Sequence, residues 1–241
     1  MNIKKTKRFA ILLFLVYFII VGLTLQNITA KADSKLLNTN IDKITKEDVI
    51  ALIEEQGKDK QGSYYDELVY ELVNVDDDKD LELVVKNTGG VHIGEFYIFK
   101  LKDNAFKLIA EENWNTESLN LSKPIELNGI KLYETIDSSG GTGADCNTAY
   151  LWYVDNGKFK IAWKHVLKDI QVFKENYYLK IGNYQFNNDN NLLYAWSSDY
   201  IYELDGITLK ENKGNNTMIY KFDGNKFVMI SESLGGVKSD Q

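Results

Sequence analysis

The chain has 241 residues, with 28 Lys and Arg against 35 Asp and Glu, two His, one Cys, 44% hydrophobic and 12% aromatic side chains. This composition is globular rather than disordered, and one Pro with 17 Gly excludes collagen-like and proline-rich architectures. A lone Cys excludes a disulfide framework and any multi-cysteine metal site.

At the N-terminus, Lys4, Lys5, Lys7 and Arg8 precede an uncharged apolar run from Phe9 to Leu25, and a short polar stretch then ends in Ala30-Lys31-Ala32. This is the layout of a secretory signal peptide over residues 1–32, with the mature chain starting at Asp33. The apolar run of 17 residues also reaches the lower limit for crossing a bilayer, so an uncleaved membrane anchor on the outer face of the cytoplasmic membrane is the alternative. The only cysteine, Cys146, is far from the cleavage point, which excludes a lipid anchor there. Cleavage removes five positive charges and leaves 23 basic against 35 acidic groups, a net charge of −12. Such a surface repels phosphate backbones and anionic headgroups. No nucleic-acid partner is expected, and membrane contact only through the N-terminal segment.

Residues 33–42 read as a polar tether, and residues 43–241 as a single β-rich domain with a short N-terminal helix. The helix is predicted from Thr45 as N-cap, with Asp48 three residues on as a capping box, an apolar side of Val49, Ile50, Leu52 and Ile53, and a stop at Gly57. After Gly62, short aromatic and β-branched runs alternate with Asn-Gly, Asp-Gly and Asp-Asn turns, the pattern of β-hairpins. Strands are expected at 69–75, 81–86, 95–101, 106–110, 130–135, 149–154, 159–163, 177–181, 192–196, 200–204, 219–222 and 227–230.

Two segments, Glu126–Glu134 and Glu203–Glu211, agree at six of nine positions and suggest a repeated hairpin. Three turns end in a phenylalanine, at Asp103–Phe106, Asp155–Phe159 and Asp223–Phe227, each with an aromatic seven residues earlier: Phe99, Trp152 and Tyr220. Across a hairpin such a pair can pack on one sheet face. The fold expected is mainly β, an N-terminal helix followed by an antiparallel meander of three hairpin repeat units, packed propeller-like or as a sandwich.

The segment Asn74-Val-Asp76-Asp-Asp78-Lys-Asp80-Leu-Glu82 places oxygen-bearing side chains at every second position. Hard cations such as calcium take six to eight oxygens, and a tight acidic loop supplies them. Asn74, Asp76, Asp78 and Glu82 are the side-chain ligands this spacing offers, and Asp80 offers its backbone carbonyl. The segment resembles the Asp-rich loops of secreted FG-GAP and VCBS-type β-repeat proteins, closely over about twelve residues and loosely over residues 67–111. The resemblance implies a calcium-binding loop joining two strands. Lys79 stands where those loops carry glycine, and Asn74 where they carry the first aspartate, which lowers the expected affinity.

Two glycine-rich segments, Thr88–Gly94 and Ser138–Cys146, follow strands without opening a helix and lack the lysine-serine ending, which argues against a phosphate-binding loop. As loops in similar places of successive units, they are expected side by side on one rim, where a ligand site would form. For catalysis, Cys146 with His92 or His165 and Asp137 or Asp145 is the only nucleophilic arrangement the residue types offer, and Glu134, Asp137 and Asp145 the carboxylates for glycoside hydrolysis. No spacing supports either. Among the aromatics, Trp152 and Trp163 are expected in the core and Trp114 as an exposed anchor. The sequence thus reads as an exported bacterial protein, a non-catalytic extracellular or cell-surface binding module with a calcium-stabilised loop, meeting an extracellular protein or glycan. The alternative is a secreted hydrolase acting on cell-wall or extracellular glycan or protein.

Overall fold

The computed structural model describes residues 44–58, 64–76, 78–90 and 93–235. The leader, the tether, Asp77 and His92 lie outside them. Among the described residues no helix is long and apolar enough to cross a membrane.

Helix α1 spans Lys46–Gln56. Its start is the expected capping box: the Asp48 backbone N–H donates to Thr45 Oγ1 (3.3 Å) and the Thr45 N–H donates back to Asp48 Oδ2 (3.0 Å). Leu52 and Ile53 are buried, and Gly57 closes the helix by donating to Ile53 O (2.7 Å).

Twelve strands follow, β1 (Val69–Val73), β2 (Glu82–Gly90), β3 (Ile93–Lys102), β4 (Ala105–Glu112), β5 (Thr116–Leu127), β6 (Ile130–Gly141), β7 (Ala144–Asp155), β8 (Lys158–Phe173), β9 (Asn176–Asn187), β10 (Leu192–Tyr202), β11 (Leu209–Phe222) and β12 (Phe227–Gly235). They form two open antiparallel meanders in chain order, one of β1–β4 and one of β5–β12. Turn chemistry explains the connectivity. Asp103 and Asn104, Asn128 and Gly129, and Asn156 and Gly157 all have positive φ, the type I′ geometry whose twist matches paired strands. Gln56 lies along β4, its amide nitrogen donating to Phe106 O (2.9 Å) and its oxygen accepting from Leu108 N (2.9 Å), as a neighbouring strand would.

Several elements differ from expectation. Segment 192–196 and the start of 200–204 belong to one continuous strand, β10, which ends at Tyr202. β5 is an edge strand that the sequence pattern hides, because Lys123-Pro124 interrupts it and the pairing skips from Asn120 to Ile125. Ser138–Cys146 is no loop: β6 and β7 run through it to a turn at Thr142-Gly143, with Ser139 opposite Cys146 and Gly140 opposite Asp145. A Cβ on Gly140 would collide with Ala144 O, so this glycine serves strand pairing. The two similar nonapeptides also diverge. Glu126–Glu134 makes a tight hairpin, whereas in Glu203–Glu211 Asp205 Oδ1 accepts from Ile207 N and Thr208 N (both 2.8 Å), which widens the turn. Of the aromatic pairs, Trp152 meets Phe159 (centroids 5.5 Å apart), but Phe227 meets its cross-strand partner Phe222 (5.3 Å), while Tyr220 stands edge-on to Trp163 (5.9 Å).

Two apolar clusters result. One draws on both sheets, with Val84, Phe96 and Ile98 against Leu121, Tyr133 and Trp152. The Trp152 indole N–H is satisfied by Thr135 Oγ1 (2.8 Å). The other belongs to the larger sheet, where Leu132, Leu151, Trp163, Leu193 and Phe222 share an inner face. That sheet curls far enough for Tyr153 on β7 to donate to Asn225 O in the β11–β12 turn (2.9 Å). Trp152 and Trp163 are core residues as expected; Trp114 is not the exposed anchor, being only 4% exposed and packed on Phe96 and Tyr150.

Candidate functional site

The acidic loop joins β1 to β2 beside the end of the two-sheet cluster. Glu82, the first residue of β2, has Val84 two positions on, so its side chain falls on the inward face and is fully buried. Its Oε2 accepts from Val75 N (2.9 Å), which pulls the loop closed. The loop is further tied by the Asn74 side-chain amide donating to Asp78 O, by Asp80 N to Asp78 Oδ1 (2.7 Å) and by Asp78 N to Asp76 Oδ1 (3.4 Å). These are local Asx-type bonds that turn the side chains of Asp76 and Asp78 inward. Carboxylate oxygens of Asp76, Asp78 and Glu82 come within 4.8 Å of one another and could hold a metal ion. Of the four side chains picked out by spacing, the three carboxylates converge, and the Asn74 amide nitrogen is spent within the loop.

A residue outside the loop completes the site. Lys100 on β3 is the cross-strand partner of Glu82, and its Nζ lies 2.8 Å from Asp76 Oδ2, 2.8 Å from Asp78 Oδ2 and 2.6 Å from Glu82 Oε1. An ammonium therefore stands at the focus of the carboxylates. Lys79, which stands where the resembling loops carry glycine, is exposed. A signal for Lys100 did exist: it continues the alternation of Phe96 and Ile98, so its stem had to follow them inward.

The charges are mutually tuned. Burial pushes the Glu82 carboxyl up, against its hydrogen bonds from Lys100 and the Val75 N–H. The hydrogen bond from Lys100 pulls Asp78 below the usual carboxylate range, against the opposing effect of burial. Burial opposes the charge on Lys100, but the hydrogen bonds to Asp76, Asp78 and Glu82 outweigh it and hold the ammonium above the ordinary lysine value.

The donor set fits a hard cation: three anionic oxygen ligands, two of them shielded from water, on a loop fixed by hydrogen bonds. The same set fits an ammonium. A cleft of about 660 Å³ opens beside it, lined by Asp76, Asp78, Asp80, Lys102 and Lys107, and gives access from solvent.

The expected rim takes a different form. A Cβ on Gly94, in the first glycine-rich segment, would overlap Asn115, so the backbones touch there. Asn115 in turn bonds the second segment: its N–H donates to Asp137 Oδ1 (2.8 Å), its O accepts from Ser138 N (2.9 Å), and its Nδ2 donates to Ser138 O (2.9 Å). The two segments are thus bridged through one residue. Beside that bridge is a depression of about 410 Å³ lined by Glu111, Glu112, Trp114, Asp137 and Tyr150. Burial raises the carboxyls of Glu112 and Asp137 and the phenol of Tyr150.

The other residues considered for catalysis are dispersed. Asp145 pairs with Lys168 (2.7 Å) and sits opposite Gly140, three positions from Asp137, so the two aspartates point to opposite sheet faces. Glu134 accepts the Tyr184 hydroxyl. Cys146 contacts Thr148 Oγ1 (3.8 Å), whereas His165 donates from Nε2 to Trp196 O (3.3 Å).

No protein-family model matches the chain, and no curated protein matches it.

Proposed function

We propose that the chain is an exported, non-catalytic binding module of the extracellular space or cell surface, whose β1–β2 loop takes calcium in exchange for the Lys100 ammonium. The leader pattern in residues 1–32 supports export, and the mature charge of −12 supports affinity for cations. One observation carries the calcium reading: Asp76, Asp78 and Glu82 already converge on a single cation position held by a tethered positive charge. Lys100 can swing into the adjoining cleft and leave oxygen ligands behind. Because the ammonium competes, the apparent affinity is lowered, toward the weak range suited to calcium levels outside cells. The likeness to FG-GAP and VCBS-type loops accords with this reading.

Calorimetric titration of calcium into the mature chain tests it. A single saturable site that disappears in an Asp76→Asn, Asp78→Asn double variant is the expected result. No heat of binding up to millimolar calcium would remove the metal.

A second reading, hydrolysis of cell-wall or extracellular glycan or protein, is favoured by the Glu112 and Asp137 carboxyls in one depression, both pushed up by burial. It predicts glycan or peptide cleavage abolished by Glu112→Gln and by Asp137→Asn; full turnover in both variants, or none in the parent chain, would discard it.

A further inference from the structure

Past the core formed by Leu151, Trp163, Leu193 and Met218, the larger sheet turns polar. There β7, β8, β9, β10 and β11 enclose a depression of about 400 Å³. Its charged lining is wholly basic, Lys164 and Lys180, in a chain whose mature form carries a net charge of −12. Lys164 has no ion-pair or hydrogen-bond partner among the described residues. Lys180 shares Asp199 at 3.4 Å, with both side chains about 40% exposed, a solvent-screened pair that leaves the ammonium free to regroup. His165 is neutral near pH 7, since burial lowers it, and its Nε2 proton is committed to Trp196 O.

The remaining lining adds neutral hydrogen-bonding groups: the hydroxyls of Thr148 and Ser197 and the amide of Asn216. Asn216 donates its Nδ2 to Glu232 Oε1 (2.8 Å), while its Oδ1 is buried without a hydrogen-bond partner. A buried amide oxygen without a donor is uncommon. Close approach on the floor is built in at Gly182, where a Cβ would collide with Val166 O and the His165 ring.

The geometry points to a binding site for a carboxylate-bearing sugar unit, with Lys164 and Lys180 on the carboxylate and the hydroxyls of Thr148 and Ser197 on ring hydroxyls. The volume suits one or two sugar rings. This deepens the binding-module reading by naming the ligand class, and it is independent of calcium.

The test is titration of the mature chain with digalacturonate, with the neutral galactose disaccharide and with sodium sulfate as separate probes. Digalacturonate is expected to bind with an affinity that falls with added salt, at least tenfold more tightly than the neutral sugar or sulfate. Lys164→Gln, an exposed and structurally harmless change, should weaken it about tenfold, Lys164→Arg should retain it, and Ser197→Ala should weaken it severalfold. Equal binding of sulfate and digalacturonate, unchanged affinity in Lys164→Gln, or no binding of digalacturonate at 10 mM overturns the assignment. If calcium still binds in that last case, the binding-module reading stands without this ligand. A sugar site without a calcium response would fail the metal reading alone.

Discussion

Replacing Lys100 by Met keeps most of the side-chain volume and removes the charge. The carboxylates of Asp76 and Glu82, with side chains 5% and 0% exposed, then face each other without a counter-ion. At the 4.8 Å limiting separation and an effective dielectric of 20, one such pair repels by about 3.5 kcal/mol. Asp78 is 43% exposed and adds little, since water screens it. Together with the lost hydrogen bonds, a cost of about 3–5 kcal/mol is expected, as for other broken buried ion pairs. For a chain of this size that lowers Tm by roughly 10 °C. Calcium should reverse the loss, because the variant keeps all three carboxylates and has no competing ammonium; a concentration of 100 times Kd restores about 2.7 kcal/mol. The assay is thermal unfolding of wild type and Lys100→Met in chelator and in millimolar calcium. A variant that melts with the wild type in chelator, or whose Tm ignores calcium, would refute the reasoning.

Other consequences are equally concrete. The lowered Asp78 carboxyl stabilises the fold above the ordinary Asp value and loses that contribution as pH falls through its depressed folded-state pKa, so Asp78→Asn should flatten the acid limb of a Tm-against-pH curve. Thr135→Val strands the Trp152 indole N–H in the core and should cost about 1–3 kcal/mol in urea unfolding, with an unchanged m-value. Thr45→Ala removes the α1 cap and should cost about 1 kcal/mol by the same measurement. Gly94→Ala drives a methyl group into Asn115 and should cost more than either, at least about 3 kcal/mol, or prevent folding, read as loss of the native circular dichroism spectrum.

The parts of the fold legible in the sequence were those written in local chemistry. Thr45 and Asp48 define a helix start whatever surrounds them, and Asn128-Gly129 and Asn156-Gly157 define hairpins because few other residues accept two consecutive positive φ values. β5 escaped notice because Lys123-Pro124 on an edge strand resembles a loop. Ser138–Cys146 escaped because small polar residues have little strand preference of their own; pairing with β7 imposes the extended backbone. The site divides in the same way. Asp76, Asp78 and Glu82 lie within seven residues and carry their spacing in the sequence, while Lys100 reaches them only through the register of β2 against β3. The burial of Trp114 likewise depends on partners distant in sequence, Phe96 and Tyr150, and on Gly94 letting the chain past. A lone tryptophan among polar neighbours looks exposed until those contacts are known.

The most direct measurement is a crystal structure of residues 33–241 grown in saturating calcium. The account predicts an ion at about 2.3–2.6 Å from oxygens of Asp76, Asp78 and Glu82, with Lys100 Nζ swung into the neighbouring cleft. Lys100 Nζ still within hydrogen-bonding distance of all three carboxylates, with no ion between them, would contradict it.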